Sequence, residues 1–125
     1  MDELPLKSVF CERRLYPRYT VHYLCDVYLG DEVLFATVLD ISENGIGITL
    51  PKEFYEGEVL NLKINCKLIN KQEKTLQKIN IYLRAKIVWI KEEGKMFKAG
   101  LHITDISYDD LNKLREHIEY LANLP

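Results

Sequence analysis

Long runs of alternating apolar and polar residues constrain the fold of this chain more than any other feature. Between residues 60 and 68 every second residue is apolar, and residues 19–29 also alternate between two sets of side chains. A period of two places one set on each face of a β-strand, so both segments are predicted to be strands with one packed face. Further β-branched, aromatic or alternating runs at residues 33–39, 45–50, 79–90 and 97–104 raise the predicted number of strands to six.

The connections between these predicted strands are short. Gly30 and Asp31 form a turn signal, and residues 92–95 form a short connection between the last two runs. The polar segment 70–78 has the length of a protruding hairpin. Short connections favour antiparallel neighbours, and about six such strands predict an all-β barrel or sandwich. In the fifth strand one face is predicted to carry Ile79, Ile81, Leu83, Ala85, Ile87 and Trp89.

The last twenty residues change from a period of two to a helical period. Ser107, followed by Asp110, has the pattern of a helix N-cap with an acidic third position. Apolar residues then recur at helical spacing, which predicts one amphipathic helix ending near Asn123. His117 is predicted to lie on its exposed side. The apolar positions are Leu111, Leu114, Ile118 and Leu121.

Length and charge limit what the chain can do. Its 125 residues fit one domain, and 17 basic against 19 acidic residues give a net charge of −2. The molecule as a whole is therefore not a general polyanion binder. No apolar stretch is long enough to span a membrane, and the N-terminus has no signal-peptide pattern. We therefore expect a cytoplasmic protein without membrane insertion.

Catalytic and metal-binding motifs are absent from the sequence. Cys11, Cys25 and Cys66 form no CxxC pair, and His22, His102 and His117 lack metal-ligand spacing. No P-loop, nucleophile elbow or GxGxxG fingerprint is present. We therefore expect idle thiols, no metal, no cofactor and no enzymatic activity.

Arginines are concentrated just before the first predicted strand, in the segment Glu-Arg-Arg-Leu-Tyr-Pro-Arg at residues 12–18. Pro17 prevents a continuous helix there, so Arg13, Arg14 and Arg18 are predicted to lie on an extended arm. Guanidinium groups bind phosphates or guanine edges through paired hydrogen bonds and stack on bases. Taken alone, the same segment also fits a solvated leader with an ion pair to Glu12.

A second polar segment, Asp-Ile-Ser-Glu-Asn-Gly at residues 40–45, joins two predicted strands. Asp40 and Ser42 can point the same way from the end of a strand. Gly45 allows a ligand or another backbone to approach closely. The segment also fits an ordinary turn whose side chains satisfy its own backbone.

Together the two segments resemble the PilZ family, which is defined by an RxxxR arm followed by D/NxSxxG. Arg14 and Arg18 match the first motif, and the second is matched by Asp40, Ser42 and Gly45. The segments Ile-Val-Trp at residues 87–89 and Gly-Leu-His-Ile at residues 100–103 also resemble closing strands of that family. Two departures leave the motifs intact. Asn44 stands where a glycine is common, and Ile103 replaces a common aromatic.

The resemblance implies a six-stranded antiparallel β-barrel with a C-terminal amphipathic helix at residues 19–125, preceded by an arm at residues 1–18. It also implies a site for the bacterial second messenger cyclic di-GMP. Arg14 and Arg18 would meet its phosphates or guanines, and Asp40 would accept hydrogen bonds from guanine. Ser42 would contact a base or a phosphate, and Gly45 would let a ring approach. Arg13 would favour two stacked ligand molecules per chain.

The leading hypothesis is a stand-alone receptor whose arginine arm becomes ordered by ligand. Because little chain precedes the arm or follows the helix, we expect the signal to pass to an unidentified downstream protein. One alternative is a PilZ-like interaction module that does not bind nucleotide. A third is an RNA-binding barrel, but the net negative charge argues against nucleic acid. The RNA surface would be lined by Lys63, Lys67, Lys71, Lys74 and Lys78.

Overall fold

The computed structural model describes residues 16–125, so Cys11, Arg13 and Arg14 lie outside the described residues. Six strands are followed by one helix, as the alternation and the final change of period predicted. The elements are β1 (Tyr19–Leu29), β2 (Glu32–Ile41), β3 (Gly45–Leu50), β4 (Val59–Asn70), β5 (Thr75–Glu93), β6 (Met96–Asp105) and α1 (Tyr108–Ala122).

All neighbouring strands are antiparallel and the sheet closes into a barrel in the order β1-β2-β3-β6-β5-β4. Closure confirms the barrel and removes the sandwich alternative. Strands β3 and β6 pair along the whole of β3, which joins the two halves of the chain. This pairing sets the D/NxSxxG turn beside the last strands of the barrel.

Inward side chains of every strand form a single core. Cys25 and Cys66 belong to it as free thiols, and burial raises the pKa of each to about 12. Both thiols are therefore protonated at neutral pH. The largest fully buried aliphatic side chains are Ile41, Ile46, Ile48, Leu50, Leu62, Ile64, Ile81, Ile87 and Leu114.

Irregular register interrupts the alternation in two strands that carry the site. In β2 the partners in β3 shift between Val38 and Asp40, and in β5 the partners in β6 shift between Ile87 and Trp89. A bulge inserts an extra residue and re-aims the side chains that follow it. The predicted common face of β5 is therefore wrong at its end, because Ile87 is 1% exposed and Trp89 is 37% exposed.

Helix α1 begins at the predicted cap. The Ser107 hydroxyl oxygen accepts a hydrogen bond from the Asp110 amide at 3.1 Å, and Asn123 forms the C-cap. Leu114 packs into the barrel core. The exposed position predicted for His117 is wrong. The ring is buried, with Nε2 2.7 Å from the Tyr23 hydroxyl, because His117 follows Leu114 by one helical turn and meets a polar partner there.

The hydrogen bonds around His117 indicate its neutral form. Tyr23 can donate to the Lys67 carbonyl oxygen at 3.3 Å and accept from His117 Nε2, which leaves Nδ1 as a buried acceptor with no partner among the described residues. This assignment leaves no donor unpaired. Burial lowers the pKa of His117 and raises that of Tyr23 to about 12.

We therefore predict that acid destabilises the fold through His117. Its folded pKa lies below the unfolded value of 6.5, so the unfolded chain takes up a proton first as the pH falls. The free energy of unfolding should decline from about pH 6.5 downward. His117→Gln keeps an amide donor for Tyr23 and cannot titrate, so denaturant unfolding should show a weaker decline. His22→Gln, at an exposed site, should behave as wild type. Equal slopes in all three proteins would contradict the prediction.

Candidate functional site

The turn between β2 and β3 is held together by Ser42. Its hydroxyl oxygen accepts hydrogen bonds from the amides of Asn44 at 3.3 Å and Gly45 at 3.0 Å. The hydroxyl can donate to Asn44 Oδ1 at 2.9 Å or to the Gly45 carbonyl at 3.2 Å. Ser42 is fully buried, so its hydroxyl serves the turn. A direct contact of Ser42 with a ligand stays a prediction.

Gly45 allows two backbones to approach each other. A Cβ atom at this position would lie 2.9 Å from the Leu101 carbonyl oxygen in β6. The neighbouring Asn44 carbonyl accepts from the Ile103 amide at 2.9 Å. The turn is therefore fixed to β6, and of the two roles left open for Gly45, close backbone approach is the one visible here.

Asp40 occupies the bulged end of β2 on the outer side of the barrel. In register it faces Thr20 of β1 on one side and Gly47 of β3 on the other. One carboxylate oxygen, Oδ1, lies 3.9 Å from the nearest Arg18 guanidinium nitrogen. Oδ1 is buried and has no hydrogen-bond partner among residues 16–125. A buried acceptor without a partner is costly, so a donor from outside the described residues would stabilise this atom.

A floor of two glycines continues from Asp40 across the barrel. Gly47 pairs with Gly100 of β6, which in turn pairs with Trp89 of β5. A methyl group at Gly47 would overlap the Asp40 carboxylate, and one at Gly100 would overlap the Trp89 indole. The two side chains therefore lie over Gly47 and Gly100, and we call these two glycines the glycine floor. Glycine within strands marks such close approach, a signal present in the sequence.

Polar residues also surround the floor. On the helix side, Arg115 Nε donates to Glu43 Oε1 at 2.8 Å, which ties α1 to the turn that carries Ser42. At the start of β3, Gly45 pairs with His102, and His102 pairs with Lys86. Lys86 and His102 line an open pocket of about 590 Å³. Sequence reasoning assigned no role to Arg115 or Lys86, because only register and packing bring them to this region.

The structure thus brings Arg18 and Asp40 together and places Ser42 and Gly45 in the adjoining turn. The other two expected site residues, Arg13 and Arg14, lie outside the described residues. Within residues 16–125 no cluster of three or more His, Cys, Asp or Glu side chains could hold a metal ion. The described side chains of the site are thus one carboxylate, one guanidinium and one indole, with the carboxylate and the indole lying over two glycines.

Comparisons with known proteins agree with this geometry. A family model described as PilZ domain matches residues 12–120. This range includes Arg14 and Arg18 of the first motif, the whole second motif and most of α1. A search of curated proteins found no match.

Solved structures share the fold at low sequence identity. The inhibitor of motility MotI/DgrA of Bacillus subtilis matches with a TM-score of 0.70 and 23% identity, covering 90% of this chain and 53% of that one. The PilZ domain of Escherichia coli YcgR, solved with c-di-GMP, matches with a TM-score of 0.65 and 22% identity, covering 88% of this chain and 92% of that one. The chain thus spans about half the length of MotI/DgrA.

Proposed function

The chain belongs to the PilZ domain family, and from this premise we propose that it is a receptor for cyclic di-GMP. The observation that carries the proposal is the buried Oδ1 of Asp40, which has no hydrogen-bond partner among residues 16–125 and lies beside Arg18 and over Gly47. The YcgR domain that shares this fold is described in complex with the same nucleotide. The members of the family are receptors, which supports a binding role and not an enzymatic one.

Guanine would supply a donor to Asp40, whose Oδ1 has none among the described residues. Its N1–H and N2–H₂ groups form a pair of donors that a carboxylate can accept, and charge-assisted hydrogen bonds of this kind are strong. The ligand phosphates repel a nearby carboxylate. Its position is therefore favourable only if it accepts hydrogen bonds from a base. Arg18 would offset the carboxylate charge, and with Arg14 it would hold the phosphates or the O6/N7 edge of guanine.

The glycine floor lets the Asp40 carboxylate and the Trp89 indole lie close to the sheet. A guanine base could then approach these two side chains from outside, with its edge at the carboxylate. The half-exposed indole can stack on a base. Ser42 and Gly45 then contribute by holding the turn, whether or not they touch the ligand.

Arg13 bears on the number of ligands. Two stacked cyclic di-GMP molecules bring four phosphates to one site, and a third arginine would offset their repulsion. We predict about two ligands per chain at saturation and about one in Arg13→Leu. Quantitative calorimetry with a calibrated ligand concentration measures this ratio. A wild-type ratio of one would contradict the prediction.

Signal output would follow from ordering of the arm, residues 1–18, when phosphates neutralise its arginines. The newly ordered surface would bind an unidentified downstream protein. Ordering costs part of the binding free energy, so we expect micromolar affinity. Hydrogen exchange should show amides from Val9 to Tyr19 gaining protection on ligand addition, with β4 little changed. An arm already protected without ligand would contradict the switch.

Titration of the purified chain with cyclic di-GMP tests the function itself, with GTP as the control nucleotide. We expect saturable binding of cyclic di-GMP and none of GTP. Absence of binding at ligand concentrations on the order of hundreds of micromolar would overturn the proposal. It would favour the interaction module that does not bind nucleotide.

A further inference from the structure

The hairpin between β4 and β5 extends beyond the barrel as a two-stranded ribbon. The register of β4 with β1 ends at Ile64, and that of β5 with β6 begins at Arg84. Between these points the two strands pair only with each other, as far as Asn70 opposite Thr75. The ribbon is attached to α1 through a hydrogen bond from the Ile69 amide to the Tyr120 hydroxyl at 3.0 Å.

The outer face of the ribbon combines lysines with exposed aliphatic side chains. Lys67 pairs with Lys78, and two positions further along Ile69 pairs with Leu76, so all four side chains lie on one face. Ile69 is 56% exposed and Leu76 is 58% exposed. The turn adds two more lysines. We call this surface the ribbon tip, formed by Lys67, Ile69, Lys71, Lys74, Leu76 and Lys78.

The charge of the ribbon tip is not compensated locally. Residues 67–78 contain four lysines and one glutamate, on a chain with a net charge of −2. Among the described residues none of these lysines forms an ion pair with a carboxylate. Two like charges directly opposite each other, at Lys67 and Lys78, destabilise a strand pair in isolation. An anionic surface would attract both lysines and offset the repulsion between them.

We propose that the ribbon tip binds the headgroup layer of an anionic membrane. Lysines around two aliphatic side chains match such a surface, because the cations meet lipid phosphates and carboxylates while Ile69 and Leu76 enter the interface. The contact is peripheral. No helix within residues 16–125 is long and apolar enough to cross a bilayer.

Two other partners fit the ribbon tip less well. Residues 67–78 contain no arginine and no aromatic side chain, whereas stacking on aromatic or guanidinium groups is what holds single-stranded RNA. A stable protein interface needs about 800 Å² on each side with a shaped apolar centre, which is more than two aliphatic side chains on a narrow tip provide. A fluid membrane surface requires no such shape, and flexible lysines adapt to it.

Vesicle co-sedimentation of the full chain tests the proposal. We expect binding to phosphatidylcholine vesicles that contain about one-third phosphatidylserine, release at about 0.5 M salt, and no binding to pure phosphatidylcholine. Lys67→Gln with Lys78→Gln should lower the partition coefficient about fivefold per lysine. Lys95→Gln with Lys113→Gln removes the same charge elsewhere and should leave binding unchanged.

A second double variant and its matched control test how much the aliphatic side chains contribute to vesicle binding. Ile69→Ser with Leu76→Ser should reduce vesicle binding, whereas Leu24→Ser with Val33→Ser, at exposed positions on β1 and β2, should not. All these side chains are exposed or at the tip, and unfolding curves verify that each variant is folded. Failure of the wild-type chain to bind the anionic vesicles, equal losses in control variants, or binding of a labelled RNA without vesicle binding would overturn the proposal.

Discussion

Replacing both Arg14 and Arg18 with alanine is expected to lower the affinity for cyclic di-GMP by at least about a hundredfold. Each change removes a charge-assisted hydrogen bond worth roughly 1.5–3 kcal/mol, and each single variant should therefore lose at least about tenfold. Arg18 also lies beside Asp40. Without Arg18, the Asp40 carboxylate would face the ligand phosphates with no ion-pair partner among the described residues. Calorimetry on the two single variants and the double variant measures these losses.

Two controls separate recognition from general charge. Arg14→Lys with Arg18→Lys keeps both positive charges but loses the planar fork, so its affinity should fall between those of the wild type and the alanine variant. Arg84→Ala removes an exposed arginine that is 3.8 Å from Asp105, on another part of the surface, and should bind as wild type. Wild-type affinity in both single alanine variants would favour the alternative that the arm is a solvated leader without a role in binding.

The barrel could be predicted because alternation is a direct consequence of strand geometry. Every apolar face that packs in β1 and β4 was visible as a period of two in the sequence. The bulges at Asp40 and Trp89 were not, because an extra residue changes the register without changing local composition. His117 was misplaced for a related reason. A histidine is interpreted as polar unless its partner, here Tyr23 at a separation of 94 residues, is known.

The candidate site also has a part that could be predicted from the sequence and a part that could not. The two motifs could be found because their residues are close in sequence. The pairing of Asp40 with Gly47, and of Trp89 with Gly100, depends on register across three strand pairs, which no local pattern specifies. The glycines were visible in their strands, but the side chains that lie over them were not. The carboxylate and the indole thus form one surface only because β3 pairs with β6 between β2 and β5.

Gly47→Ala is expected to reduce cyclic di-GMP affinity at least tenfold, with only a modest loss of stability. The added methyl group would overlap the Asp40 carboxylate, so this side chain must rotate away from the glycine floor. Because a carboxylate can move more easily than a strand, the barrel should survive with a cost of about 1–3 kcal/mol. The ligand would lose the acceptor for its guanine, a loss of similar size to that in Asp40→Ala.

A double-mutant cycle tests this coupling. In the Asp40→Ala background the methyl group at Gly47 has no carboxylate to displace, so Gly47→Ala should cost less stability there and add less than its full effect on binding. Gly100→Ala, which would overlap Trp89, provides a second test at the other half of the floor and should also weaken binding. Full affinity in folded Gly47→Ala protein would mean that the ligand does not use the glycine floor. Strictly additive losses would mean that Gly47 and Asp40 act on the ligand separately, because coupled neighbours share one interaction and cannot lose it twice.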